Sequence, residues 1–405
     1  MSGSQSRLSV PGVASVRSQS GCVIAPGATI GILGGGQLGR MFCLAARRMG
    51  YGVQIFGDTP DSPAGQIADR TWPAPFQDHA QLRLFAEQVD AVTYEQENIP
   101  VETVEVLRER VPVRPAVGLL AAAQHRIREK TAIRSIGIAT ADFHRITSAR
   151  DLSMALADFQ HTGILKTVTL GYDGKGQARI APGTDIPALW SSFGVSEAIL
   201  EREISFAHEL SVVAARFADG TVVPFQATLN QHVNHILDLS VSPSPAIEPR
   251  VMQEACDVAA AILEHFGVVG VICVEYFLTT SGRLLVNEIA PRPHNSGHLT
   301  IDACQSSQFE QQVRAVCGLG SGDVRQRQPA AMVNLLGEHL AAATPERWQA
   351  VFARPEVNVH LYGKAQARTG RKMGHLTVLA DTAAAAAAAA LSARSVLTGA
   401  GSLHE

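Results

Sequence analysis

Up to about residue 125, short apolar runs alternate with stretches whose apolar positions recur at helical spacing. This pattern predicts strands at 28–33, 53–56 and 91–93 and helices at 37–49 and 79–88. Strands alternating with helices predict a parallel, doubly wound α/β sheet. A longer helical pattern over 117–136 closes this unit. The middle of the chain reads as α+β: β segments at 163–167, 176–180, 198–203, 209–217 and 221–228, with turns such as Ala218-Asp219-Gly220 and helices near 149–159 and 250–266. After Gln328, short strands alternate with helices again. The alanine run at 383–391 is expected to be a surface helix, since alanine is the best helix former. Residues 1–26 read as a polar, mobile extension. The expected division is therefore 27–125, 126–328 with a subdomain at 140–205, and 329–405, with no internal repeat.

Composition narrows the function classes. The chain has 405 residues, 46% of them hydrophobic, and a net charge of −3, which excludes a mainly disordered protein. Its 34 basic residues are balanced by 37 acidic ones, so there is no polycation for gripping nucleic acid. No run approaches the ~20 apolar residues of a membrane span, and the Ser-rich start lacks the apolar core of a secretory signal. Six cysteines without a CxxC pair read as reduced thiols of a cytosolic protein. Only five basic residues are lysine (Lys130, Lys166, Lys175, Lys364 and Lys372), so each invites a reason.

Five segments carry chemistry. Gly34-Gly35-Gly36-Gln37-Leu38-Gly39 fits GxGxxG after a strand, with Asp58 about twenty residues on, where a dinucleotide fold places its ribose-binding acid. This supports a nicotinamide oxidoreductase, or merely a tight βα turn. Gly171-Tyr172-Asp173-Gly174-Lys175-Gly176-Gln177 reads as a flexible hairpin tip able to fold over polyphosphate. Lys166, in the apolar segment before it, needs an anionic partner, and an ATP phosphate is one. Further on, a two-residue Ser281-Gly282 turn would pair Thr280 with Arg283, Phe277 with Val286, Cys273 with Ala290, and Glu275 with Glu288. Two carboxylates ~5 Å apart call for a cation or a shared proton, and oxygen ligands beside phosphate select Mg²⁺. The loop Ala290-Pro291-Arg292-Pro293-His294-Asn295-Ser296-Gly297-His298 presents Arg292, His294 and Asn295 next to this pair, with His298 read as structural. Near the C-terminus Lys364, Arg368, Arg371, Lys372 and His375 form either a solvated basic face or a monophosphate-binding loop.

Taken together, GILGGGQLGRM (31–41), TYEQENI (93–99), GYDGKGQ (171–177), Glu275 with Asn287-Glu288, APRPHNSGH (290–298) and GRKMGHL (370–376) resemble the ATP-grasp superfamily. Within it, they resemble the N5-carboxyaminoimidazole ribonucleotide synthetase family of purine biosynthesis. YEQEN stands here in place of the commoner YEFEN. The resemblance implies an α/β and α+β ATP-grasp architecture: an N-terminal Rossmann-like preATP-grasp domain, a central ATP-grasp domain with a lid, and a small C-terminal domain. It implies carboxylation of the exocyclic amine of 5-aminoimidazole ribonucleotide by ATP and bicarbonate through carboxyphosphate, in a cytoplasmic homodimer. ATP then falls on Arg126, Lys166, Gly171, Tyr172, Asp173, Gly174, Lys175, Gly176, Gln177, Glu201, Arg202, Glu203, Ile204, Glu209, His232, Asn287 and Glu288, and Mg²⁺ on Glu275 and Glu288. The ribonucleotide and bicarbonate fall on Gly36, Gln37, Glu95, Tyr172, Asp173, Arg292, His294, Asn295, Lys364, Arg371 and Lys372. Lys175, Arg292 and His294 are the implied catalytic side chains. The competing readings are the oxidoreductase and a non-catalytic nucleotide-binding module.

Overall fold

The computed structural model describes residues 23–171 and 176–399. The expectations for Tyr172, Asp173, Gly174 and Lys175 therefore lie outside the described residues. The chain opens with β1 (Thr29–Leu33), α1 (Gln37–Arg48), β2 (Gly52–Phe56), β3 (Arg70–Trp72), α2 (His79–Ala86), β4 (Ala91–Tyr94) and α3 (Val101–Arg108). The strands form a parallel sheet in the order β3-β2-β1-β4. Ile30 and Ile32 pack on the α1 side, while Leu33 and Phe56 face α2 and α3. Burial on both faces is why these strands read as uninterrupted apolar runs. β3 and α3 are additions to the expected pattern. Residues 23–26 are not part of a free extension: Ile24 N–H donates to Cys317 O at 2.8 Å, and Tyr51 Oη donates to Ile24 O.

The single helix expected over 117–136 is two, α4 (Val117–Ala123) and α5 (Arg126–Ser135). Gln124 donates its amide to Glu97 O and Ile99 O, and His125 is extended at φ −140°. Arg126 N–H then bonds to Val168 O, so α5 starts at the cleft rather than inside a longer helix. A small antiparallel sheet follows, in the order β5-β8-β6-β7, from β5 (Phe143–Ile146), α6 (Ala149–Asp158), β6 (Gly163–Thr167), β7 (Gln177–Ile180), α7 (Ile186–Phe193) and β8 (Ala198–Glu201). It has its own core of Ile146, Leu152, Leu156, Phe159, Leu165 and Leu200.

The remainder is β9 (Phe206–Arg216), β10 (Val222–Pro224), β11 (Thr228–Val233), β12 (Ile236–Ser242), α8 (Pro249–His265), β13 (Gly270–Thr279), β14 (Leu284–Ala290), α9 (Thr300–Ala303), α10 (Gln308–Val316), β15 (Ala330–Leu336), α11 (Gly337–Ala342), α12 (Pro345–Phe352), β16 (Val357–Leu361), β17 (Lys372–Leu379) and α13 (Ala383–Thr398). Its strands make one nine-stranded sheet, β14-β13-β9-β11-β12-β15-β17-β16, with β10 beside β9. The strand expected at 221–228 is divided between β10 and β11, and β11 turns back into β12 through Asn234 and His235, both at positive φ. The sheet continues past Gln328 because β12 pairs with β15, Leu239 opposite Val333.

The alanine-rich helix is not a bare surface element. Ala383, Ala386, Ala390, Ala393 and Leu397 of α13 are buried against Leu335, Leu376 and Val378. Alanine's small side chain lets the helix lie close on the sheet.

Candidate functional site

The hairpin of β13 and β14 brings two carboxylates together by a different route from the one expected. The turn holds three residues, Thr280-Ser281-Gly282, closed by Thr279 N–H to Arg283 O at 2.9 Å, with Gly282 at φ +79°. Leu278 therefore faces Leu284, and Tyr276, not Phe277, faces Val286. A bulge then restores the count, leaving Glu275 opposite Glu288 and Cys273 opposite Ala290, as expected. Leu284, Val286 and Ile289 all pack into the core on the α8 side. Two successive residues, Asn287 and Glu288, thus stand between core positions, which a regular strand would not allow.

The charge of each glutamate is met by a protein cation. Arg126 Nη1 lies 3.2 Å from Glu288 Oε2, and Arg126 Nη2 donates to Gly171 O. His294 Nε2 lies 2.9 Å from Glu275 Oε1. Although burial opposes charge on both members, their mutual attraction raises the His294 imidazole and lowers the Glu275 carboxyl. Compensation by a metal, expected from carboxylate repulsion, is thus not required by this pair. The oxygen donors still fit Mg²⁺, which takes one or two carboxylates and completes its shell with phosphate and water. Among the described residues no group of three or more His, Cys, Asp or Glu forms an all-protein cage.

Beside this pair lies a buried ion triad. Lys166 Nζ is 2.7 Å from Glu201 Oε2, and Lys130 Nζ is 3.3 Å from Glu201 Oε1. Burial disfavours the Glu201 carboxylate, but the two lysines outweigh it and bring the group down to about 2. The anion expected for Lys166 is thus Glu201 itself, and Glu201 serves the lysines rather than turning its carboxylate to an adenine. Lys130 is absent from the expected site, although the scarcity of lysine marked it. Farther along the sheet, His232 Nδ1 meets Glu209 Oε2 at 2.6 Å. Phe277, two residues from Glu275 on β13, stacks on Phe206 with centroids 4.8 Å apart. Two expected side chains turn away from this site: Arg202 lies over Phe159 and bonds to Asp142, and Glu203 pairs with Arg179. The backbone of 201–204 is what they leave to the site.

The glycine loop binds an anion, and that anion is part of the chain. Glu95 Oε2 accepts from Gly39 N–H at 3.1 Å, at the start of α1. A Cβ at Gly36 would lie 2.7 Å from the Glu95 carboxylate, and one at Gly35 would lie 2.5 Å from Ser62 Oγ. The glycines make room for these side chains, and a carboxylate stands where a dinucleotide fold presents amides to pyrophosphate. This removes the basis of the oxidoreductase reading. Burial raises the Glu95 carboxyl.

Arg292 Nε bonds to Glu97, the second glutamate of YEQEN, which the expected site omitted. Lys364 Nζ donates to Lys372 O at 2.6 Å, and Gly363 O accepts from Gln66 of the N-terminal unit, which carries the loop to the Glu95 side of the cleft. Burial and the charge of Arg371 bring the Lys364 ammonium down to about 8. Arg371 itself bonds to Gln366 O. Both polar atoms of the Asn295 amide are buried without a partner. His298 and His375 are buried, and burial holds both well below the usual histidine range, so they do not join a basic face.

The preATP-grasp model for ribonucleotide synthetases matches residues 27–124, the ATP-grasp domain model 131–309, and the phosphoribosylaminoimidazole carboxylase C-terminal domain model 330–389. The N5-carboxyaminoimidazole ribonucleotide synthase of Bacillus subtilis is 40% identical over 88% of this chain and 93% of its own. The chain belongs to this family. It also matches 38% of the length of a bifunctional purine synthesis protein, purC/E, of Dictyostelium discoideum, at 41% identity. Among solved structures, an ADP complex of an N5-carboxyaminoimidazole ribonucleotide synthetase shares 39% identity and a TM-score of 0.87, covering 92% of this chain and 97% of that one. The Aspergillus clavatus N5-carboxyaminoimidazole synthase, in complex with ADP and 5-aminoimidazole ribonucleotide, superposes with a TM-score of 0.82 at 28% identity, over 91% of this chain and 98% of that one.

Proposed function

We propose that this protein uses ATP and bicarbonate to carboxylate the exocyclic amine of 5-aminoimidazole ribonucleotide, giving N5-carboxyaminoimidazole ribonucleotide. The observation that carries the reading is the convergence, beside Arg126, of the Lys130–Glu201–Lys166 triad with the paired Glu275 and Glu288. Cations and carboxylates placed side by side suit a polyphosphate bound with a divalent cation. Lys130, Lys166 and Arg126 hold the phosphates, Glu209 and His232 the ribose, and the Phe206–Phe277 stack floors the purine. Glu275 and Glu288 would hold Mg²⁺, which would supply charge neutralisation for the nucleotide.

Bicarbonate, oriented by Arg292 and His294, attacks the γ-phosphorus, and ADP leaves. The protein's part is placement and charge stabilisation rather than covalent chemistry. The amine of the ribonucleotide then attacks the carboxyl carbon of carboxyphosphate, and inorganic phosphate leaves with the proton that the amine gives up. Exclusion of water by the 143–201 sheet protects this labile intermediate. Lys364, Lys372 and Arg371 grip the 5′-phosphate. The reading extends to a cytoplasmic homodimer, and the free thiols of Cys43, Cys256, Cys273, Cys304 and Cys317 suit a reducing compartment.

ADP release measured with the ribonucleotide supplied or omitted, at varied bicarbonate, tests the proposal. Release should require both compounds. ADP release indifferent to the ribonucleotide would overturn it, and ADP binding with no turnover would favour a nucleotide-binding module.

A further inference from the structure

β14 is the outer strand of the nine-stranded sheet, so among the described residues one side of its backbone has no strand partner. The chain covers that edge piecewise. Val286 N–H donates to Ala139 O at 2.9 Å. Beyond it, where the bulge begins, two consecutive side chains of α5 take over: Lys130 Nζ donates to Asn287 O at 3.0 Å, and Glu129 Oε1 accepts from Ile289 N–H at 2.6 Å. The C=O of one residue and the N–H of the second residue after it are the pair a neighbouring strand would engage. Here they are engaged by a carboxylate and an ammonium, and the residue between them is Glu288. Arg126, one turn earlier on α5, holds the Glu288 side chain. One face of α5, at spacings of three and four residues, therefore grips Asn287, Glu288 and Ile289 from outside the sheet.

We propose that Glu129 is a positioning residue for the metal–nucleotide site: by accepting the Ile289 N–H it holds the β14 bulge in the form that sets Glu288 opposite Glu275. This rests on the nucleotide reading given above. Glu129 touches no substrate in that reading and acts through the backbone. Its residue is only 3% exposed, an unfavourable setting for a carboxyl group with no task beyond filling space. What the backbone needs is an oxygen acceptor, which a glutamine supplies equally well.

The test compares Glu129→Gln and Glu129→Leu in the full chain by calorimetric titration of ADP with and without Mg²⁺ and of the ribonucleotide, alongside thermal melting. Loss of an orienting partner behind a metal ligand typically costs 10- to 100-fold in metal affinity, so E129L should weaken Mg²⁺–ADP binding by at least ~10-fold. ADP without the metal and the ribonucleotide should stay within about threefold, because Arg126 and Lys130 keep their own partners, Glu288 and Glu201, when the Glu129 side chain is changed. E129Q should bind Mg²⁺–ADP like the parent protein. If E129L does not fold, Glu129→Ala takes its place, with the same expectations. A folded E129L or E129A protein that binds Mg²⁺–ADP normally, equal weakening of all three ligands, or a Gln variant as weak as the Leu variant would each overturn the proposal. Parent protein that binds no ADP under any condition would instead sink the nucleotide reading itself.

Discussion

The arrangement of single side chains around Glu201 makes it the residue whose removal should cost most. Its carboxylate holds the ammonium groups of both Lys130 and Lys166 in a buried position. Without it, two like charges remain out of water and lose the ion pairs that offset them. Breaking a buried pair by deleting one member typically costs 3–5 kcal/mol, so Glu201→Ala should be destabilised by about that much in denaturant unfolding. The Glu201 carboxyl lies near 2 in the folded protein against an ordinary value of 4.5. Its contribution is therefore complete above about pH 4.5 and is lost as the pH falls through 2. Stability that is unchanged in Glu201→Ala would show that the triad is water-filled. Lys364 makes a second prediction with the opposite polarity. Its ammonium, brought down to about 8, loses its charge as the pH rises through that value. If Lys364 grips the 5′-phosphate, the ribonucleotide KM should rise above pH 8 while the ATP KM does not follow. Lys364→Ala should weaken ribonucleotide binding by ~10-fold or more, as expected for one charge-assisted hydrogen bond, and abolish that limb of the profile.

Among the elements, α13 and the β13–β14 hairpin show how far a pattern can be read. A helix at the alanine run was legible because alanine favours helix in any setting. Its buried stripe was not, since Ala386 and Ala390 inside and Ala384 and Ala388 outside are the same residue. Ala390→Leu should overpack the contact with the sheet and cost about 1–3 kcal/mol, whereas Ala388→Leu, on the exposed face, should stay within about 0.5 kcal/mol. Equal melting temperatures for the two variants would contradict the burial of this helix. In the hairpin, the Glu275–Glu288 pairing was legible although its derivation was not. A turn one residue longer than expected and a bulge at Asn287 shift the register in opposite senses. Neither leaves a local sign, because Thr280-Ser281-Gly282 suits a two- or a three-residue loop and a bulge is settled by what packs on either face.

Over the whole molecule, the nine-stranded sheet ties the central and C-terminal regions into one body, while the 143–201 sheet keeps a separate core. The pairing of β12 with β15 leaves no break at residue 328. Amide hydrogen exchange should therefore place β9, β13, β15 and β17 in one slow class, with β5, β6, β7 and β8 opening more readily. Addition of Mg²⁺–ADP should slow exchange at 163–167 and 198–201. Early, independent opening of 330–379 would mean that the shared sheet does not act as a unit.

By itself the sequence determined the order of α/β and α+β regions, the first glycine-rich loop, the carboxylate pair and the family resemblance. Each of these depends on neighbours in the chain: alternation of apolar runs, glycine at a turn, or residue types at fixed spacing. Only the tertiary structure decided which charge meets which. It put Glu95 at the start of α1, Glu97 on Arg292, Lys130 and Lys166 on one carboxylate, and α5 along the edge of β14. These partners lie tens to hundreds of residues apart, and a charged side chain carries no mark of its partner until the fold withdraws both from water.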